Sequence, residues 1–199
     1  MSHTDDTDEF YPCHPRVICV SVSHFKMQTQ TLKLSKTKEI IFTTAFVGLA
    51  VYVPYLIHYF GGINIGRTFL PMYFFVLVAG LLLGWRAGLV TGILTPLISY
   101  LITGMPMANM LPFIVVELSA YGFLAGLLKE RLNIWISLIL AIIIGRLLAG
   151  LAVFFFSDNN ALNFMLSAVK DGWRGIILQI VFIPIIVKKL YQYFRNDEL

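Results

Sequence analysis

The sequence predicts an all-α integral membrane protein: six transmembrane helices joined by short loops, with both termini in the cytoplasm. Three observations carry that prediction. Of 199 residues, 58% are apolar and only 13% are charged, and the mean hydropathy is +0.79, a composition that cannot furnish a soluble surface. The apolar residues fall into runs of about 16–23, close to the roughly 20 that a helix needs to cross a hydrocarbon core about 30 Å thick. Glycine, proline and charged residues punctuate those runs, and little chain remains for a soluble catalytic or nucleotide-binding domain. The net charge of +4 comes largely from Lys and Arg at the ends of the runs, so it reads as topology and not as nucleic-acid binding.

Residues 1–38 are polar and irregular, from the acidic Asp5, Asp6, Asp8 and Glu9 to the basic Lys33, Lys36 and Lys38. This composition predicts a disordered tail, leaving 39–199 as the membrane domain. Cys13 and His14 resemble a fragment of a metal site, but no further Cys or His cluster completes four ligands. No metal or cofactor is expected. The apolar run 17–22 is too short to span or to serve as the core of a cleavable signal, and Met27 is an internal candidate start.

The first helix is expected over 39–60, bent by Pro54. Thr44 and Gly48, with Ala45 and Ala50 beside them, form a small-residue patch where another helix can approach closely, and internal packing suffices to explain it. The stretch 61–67, GGINIGR, reads as a glycine-rich loop. It does not match the phosphate-binding GxxxxGK[ST] pattern, so no nucleotide is indicated. Helices follow over 68–83 and 87–103 after only Gly84, Trp85 and Arg86. Gly80, Gly84, Gly88 and Gly92 recur every fourth residue across that turn and favour a tight hairpin. After the turn 104–109 comes a helix over 110–128, with a GxxxG face at Gly122 and Gly126. The charged loop 129–131 precedes a fifth helix over 134–156, and a longer loop, 157–171, precedes a sixth over 172–194.

Lys and Arg concentrate at one set of helix ends: the Lys33/Lys36/Lys38 cluster, Arg86, the 129–131 loop, and Lys188, Lys189 and Arg195. The positive-inside rule places that set, and both termini, in the cytoplasm. Two charges then lie within spans. Glu117 falls on the order of 10 Å below the outer end of the fourth helix and Arg146 roughly 15 Å below that of the fifth, counting 1.5 Å per residue. Charges at membrane depth are expensive and face partners or water-filled cavities. A purely structural Glu117–Arg146 bridge is one reading. The other adds Arg67, Arg174, Trp173, Asn64, His58 and Asn109, all at outer helix ends, to make a substrate pocket open to the outside. Three arginines around one carboxylate point to an anionic or zwitterionic small molecule.

The runs GRTFLPMYFFVLVAGLLLGWRAGLVTGILTPLISYLITGMP and LPFIVVELSAYGFLAGLL resemble the substrate-binding S components of energy-coupling factor (ECF) vitamin transporters, and the likeness extends over 37–194. The AGLLLGWRAGLVTG hairpin and the ELSAYGFLAGLL segment are its most telling parts. The resemblance implies a bacterial cytoplasmic-membrane protein that binds a vitamin or related micronutrient on the outer side. It further implies association with a transmembrane T component and a pair of ATPase subunits, and toppling of the S component to carry the pocket inward. In that family a small-residue AxxxA-type patch on the first helix contacts the T component. Here Thr44, Ala45, Gly48 and Ala50 occupy the corresponding stretch, without the AxxxA spacing itself.

Two other classes compete. An intramembrane protease needs HExxH or a paired Ser and His within the spans; HExxH is absent and His58 is the only histidine in a span. A stand-alone secondary transporter usually shows internal repeats, and the two halves of this chain show none that convinces.

Overall fold

The computed structural model describes residues 36–69, 71–156 and 161–196. The tail 1–35, and with it Cys13, His14 and Met27, lies outside the described residues. Six helices follow in order: α1 (Lys36–Phe69), α2 (Pro71–Leu83), α3 (Trp85–Thr103), α4 (Leu111–Lys129), α5 (Ile134–Phe156) and α6 (Ala161–Asn196). Five contain stretches long and apolar enough to cross a membrane: Lys36–Ile57, Trp85–Thr103, Leu111–Lys129, Ile134–Phe156 and Gly172–Tyr193. Met72–Leu83 in α2 is apolar but shorter. This is a six-helix membrane protein.

The short helix is the one at the centre. Helix α2 packs against α1, α3, α4 and α6, and Val76, Leu77, Val78, Ala79, Leu81 and Leu82 on all its sides are buried. A helix that is apolar all round belongs inside other helices. Its 13 residues extend only about 20 Å at 1.5 Å per residue, and neighbouring helices can make up the rest of the bilayer thickness.

Two of the other helices, α3 and α5, reverse the pattern of a soluble bundle. On α3 the buried face is Ala87, Gly88, Thr91, Gly92, Thr95, Pro96 and Ser99, small or hydroxyl-bearing at helical spacing. Its outer face carries Val90, Ile93, Leu94, Leu97 and Leu101. Helix α5 likewise buries Ser137, Ala141, Gly145, Arg146, Ala149 and Gly150 while exposing Ile139, Ile143, Leu147, Leu151 and Phe154. Lipid tails solvate large apolar side chains as well as a protein core does, so small residues go where backbones must approach. The closest approach joins three helices. A Cβ built on Gly88 of α3 would lie 2.7 Å from the carbonyl carbon of Gly122 in α4 and 2.7 Å from Cα of Gly80 in α2. Gly84 links α2 to α3 with a φ of 102°, a conformation that side-chain-bearing residues avoid.

Two expected boundaries are corrected. The stretch 61–67 is not a loop: α1 continues as helix to Phe69. Its glycines each cost about 1 kcal/mol in a helix interior without forcing a break. Pro71 is the first described residue of α2, a position where a missing N–H costs nothing. Similarly, α6 starts at Ala161 and not near 172. The segment 161–171, ALNFMLSAVKD, contains no Gly or Pro and is rich in helix formers; its polarity marks where the apolar part ends, not where the helix does.

Candidate functional site

The face of α4 that meets α2 and α5 carries Glu117 and, one turn on, Tyr121. Residues four apart share a helix face, so the two side chains lie together and the Tyr121 hydroxyl donates to Glu117 Oε1 at 2.9 Å. Helix α5 runs antiparallel beside α4 and brings Arg146 Nη1 to 2.7 Å from the same oxygen. Helix α2 supplies the last member: Tyr73 donates to Glu117 Oε2 at 3.0 Å. Three helices thus converge on one carboxylate that is only 1% exposed.

The surroundings are shaped to allow this. A Cβ at Gly145 would collide with the Tyr121 ring, so the residue before Arg146 has no side chain and leaves room for the tyrosine against α5. The Tyr73 and Tyr121 rings sit 5.5 Å apart at 57°. Every contact to Glu117 comes from a donor, as suits a carboxylate, and both its oxygens are engaged. Arg146 is different. Its Nε is buried and has no acceptor, while its side chain as a whole is 11% exposed against 2% for Glu117. Arg146 thus keeps hydrogen-bonding capacity that the carboxylate lacks, while Tyr73, only partly buried, is the most exposed member of the cluster.

The two charges that helix lengths put at similar depth do meet. The remaining expected site residues are distributed differently. Trp173 and Arg174 are exposed on α6, where the guanidinium stacks 5.4 Å from the indole centroid. Asn109 is exposed in the α3–α4 turn. No hydrogen bond or ion pair joins these three to the cluster among the described residues. The side chains of His58, Asn64 and Arg67 lie outside the described residues. Tyr73 and Tyr121 were not foreseen. The Glu117-to-Tyr121 spacing signals the second, whereas nothing in the sequence near Tyr73 points to α4.

Of the small residues on α1, Thr44, Ala45 and Gly48 are exposed, and a Cβ at Gly48 would meet nothing within 4 Å. Ile41, Leu49, Tyr52 and Tyr55 extend that outward face. Ala50 faces inward and is fully buried.

Compared with known families, residues 38–194 match the model of the ECF transporter substrate-specific component. The chain belongs to that family. This substrate-specific component is accordingly a multi-pass cell-membrane protein that binds a small-molecule substrate and works with the T and ATPase modules of an ECF transporter; it is a transport subunit and not an enzyme. Neither the curated proteins nor the solved structures compared with it gave a match.

Proposed function

We propose that this substrate-specific component captures a vitamin or related micronutrient from outside the cell at a site built on Arg146, and that ATP hydrolysis by the separate ATPase subunits drives its uptake. The observation that supports this reading is the buried guanidinium with a donor nitrogen that no protein group meets. Glu117, Tyr121 and Tyr73 act as positioning residues that fix Arg146 in a low-dielectric interior. Trp173, Arg174 and Asn109, together with His58, Asn64 and Arg67, are assigned to the outer approach to that site. Coupling runs through the T component, which docks on the exposed Thr44, Ala45 and Gly48 face of α1, where close helix approach meets no obstruction. No P-loop pattern exists in the chain, so the energy must come from its partners.

The test is uptake of radiolabelled micronutrients by cells expressing this chain with and without ECF T and ATPase subunits. Uptake that needs all subunits and disappears with R146A supports the proposal. Equal, ATP-independent uptake by this chain alone contradicts the coupling, and undiminished uptake by R146A contradicts the site.

A further inference from the structure

The end of the bundle where α2 turns into α3 carries a feature that substrate capture leaves unused. After Gly84, α3 opens on Trp85 and Arg86. The backbone of Trp85 lies against Gly126 of α4, and its indole meets the Phe123 ring edge to face, with 5.7 Å between centroids at 86°. The half-buried indole is thereby fixed between α3 and α4. Over it sits the Arg86 guanidinium, 5.1 Å from the ring centroid and exposed. Among the described residues no carboxylate pairs with Arg86. A guanidinium stacked on a ring that is itself packed keeps its planar fork in one place. Trp173 and Arg174 stack in the same way, but Trp173 is 50% exposed and no ring packs on it among the described residues, so that pair is not braced from behind.

The surroundings say what such a fork meets. Lys129 reaches both the Leu81 carbonyl and the Tyr191 ring, so α2, α4 and α6 end at one level, beside the start of α3. Arg131, Lys188 and Lys189 are exposed at that end, with Glu130 as the carboxylate among them. The apolar stretches Trp85–Thr103 and Leu111–Lys129 also start and stop there, which sets Trp85 and Arg86 at the border between hydrocarbon and headgroups, the level that indole rings favour. Phosphodiesters occupy that level, and a guanidinium fork can take two phosphate oxygens at once. The surplus of cations favours a headgroup with net negative charge, whereas a zwitterionic headgroup brings its own ammonium into the same field. We infer that Trp85 and Arg86 form a site for an anionic phospholipid, with the guanidinium on its phosphate and the indole beside its glycerol and first acyl carbons.

The purified, delipidated full chain in a neutral detergent can be titrated with dioleoylphosphatidylglycerol, with dioleoylphosphatidylcholine and with inorganic phosphate. Retained lipids are counted by native mass spectrometry, and melting temperature is read on the same samples. Phosphatidylglycerol is expected to bind and to raise the melting temperature, phosphatidylcholine to do so more weakly, and inorganic phosphate to do neither. R86Q, on an exposed side chain, is expected to fold normally and to weaken phosphatidylglycerol binding about ten-fold, the scale of a charge-assisted hydrogen-bond pair. K189Q, which removes a cation at the same end with no ring stacked beneath it, is expected to have a much smaller effect. Equal binding of the two lipids, unchanged binding in R86Q, or an equal loss in K189Q overturns the inference, the last because it shows only diffuse attraction to a basic surface. Displacement of the lipid by inorganic phosphate also overturns it, in favour of a site for a soluble anion.

Discussion

Helix α4 buries a charge at each end, and the two are satisfied by unlike means. In the N-terminal half, Glu117 is met by an opposite charge and two hydroxyls drawn from three helices. At the C-terminal end, Lys129 is met by backbone and ring: Nζ donates to the carbonyl of Leu81 in the last turn of α2, and it lies 5.9 Å from the centroid of Tyr191 on α6. A cation at a helix C-terminus answers carbonyls that have no partner within the helix. The Lys129 arrangement ties three helices together. The Glu117 arrangement carries an unpaired donor, Arg146 Nε. The difference separates a fastening from a site: both resist opening, but of the two only the Arg146 cluster holds a buried donor nitrogen with no partner.

Substitutions can break or sharpen that contrast. The largest effect is expected from R146A, which strands Glu117 without its counter-charge; removing one partner of a buried pair costs about 3–5 kcal/mol, read as a large drop in melting temperature and in folded yield. The double variant E117Q/R146M removes both charges while keeping their approximate volumes, and is expected to recover most of that loss. G122A is expected to cost at least about 1–3 kcal/mol by overpacking, because the Gly88 backbone it would strike cannot turn aside as a side chain would. K129M should cost about 1.5–3 kcal/mol, the value of a hydrogen bond to a charged group, and should leave substrate affinity unchanged. A loss of binding in K129M as severe as in R146A would erase the distinction between the two ends. The smallest effect is expected from Y73F, about 1.5 kcal/mol, the low end for a hydrogen bond to a charged group, with a measurable weakening of substrate binding through a less firmly held Glu117.

The parts of this organisation that were legible in the sequence are those set by exclusion from lipid. A lone carboxylate and a lone guanidinium in apolar helices are conspicuous, and 1.5 Å per residue brings them to similar depth. The glycines at every fourth position announced the α2–α3 hairpin, whose backbones do meet α4 at Gly80, Gly88 and Gly122. Tyr73 and Tyr121 were harder to read, since tyrosine is at home both in a core and at a membrane interface. Their role depends on which helix faces which, information that exists only once the chain is packed. The outward position of Thr44, Ala45 and Gly48 was hidden for the same reason: small residues permit close approach but do not say whether the neighbour is within the chain or another protein. The helical course of 61–67 and 161–171 was missed because glycine and polar residues weaken a helix signal without abolishing helix formation.

The account rests on Arg146 holding a substrate and not only Glu117, and the charge-free double variant separates those roles most directly. Wild-type protein and E117Q/R146M, purified in parallel without added micronutrient, would be compared by native mass spectrometry and by analysis of the extracted small molecules, with helix content and melting temperature measured on the same samples. The account predicts a double variant that is folded and close to the wild type in stability but carries no bound molecule. A folded double variant that retains the wild-type molecule at wild-type stoichiometry would show that the cluster only fastens the helices, and that the substrate is held elsewhere.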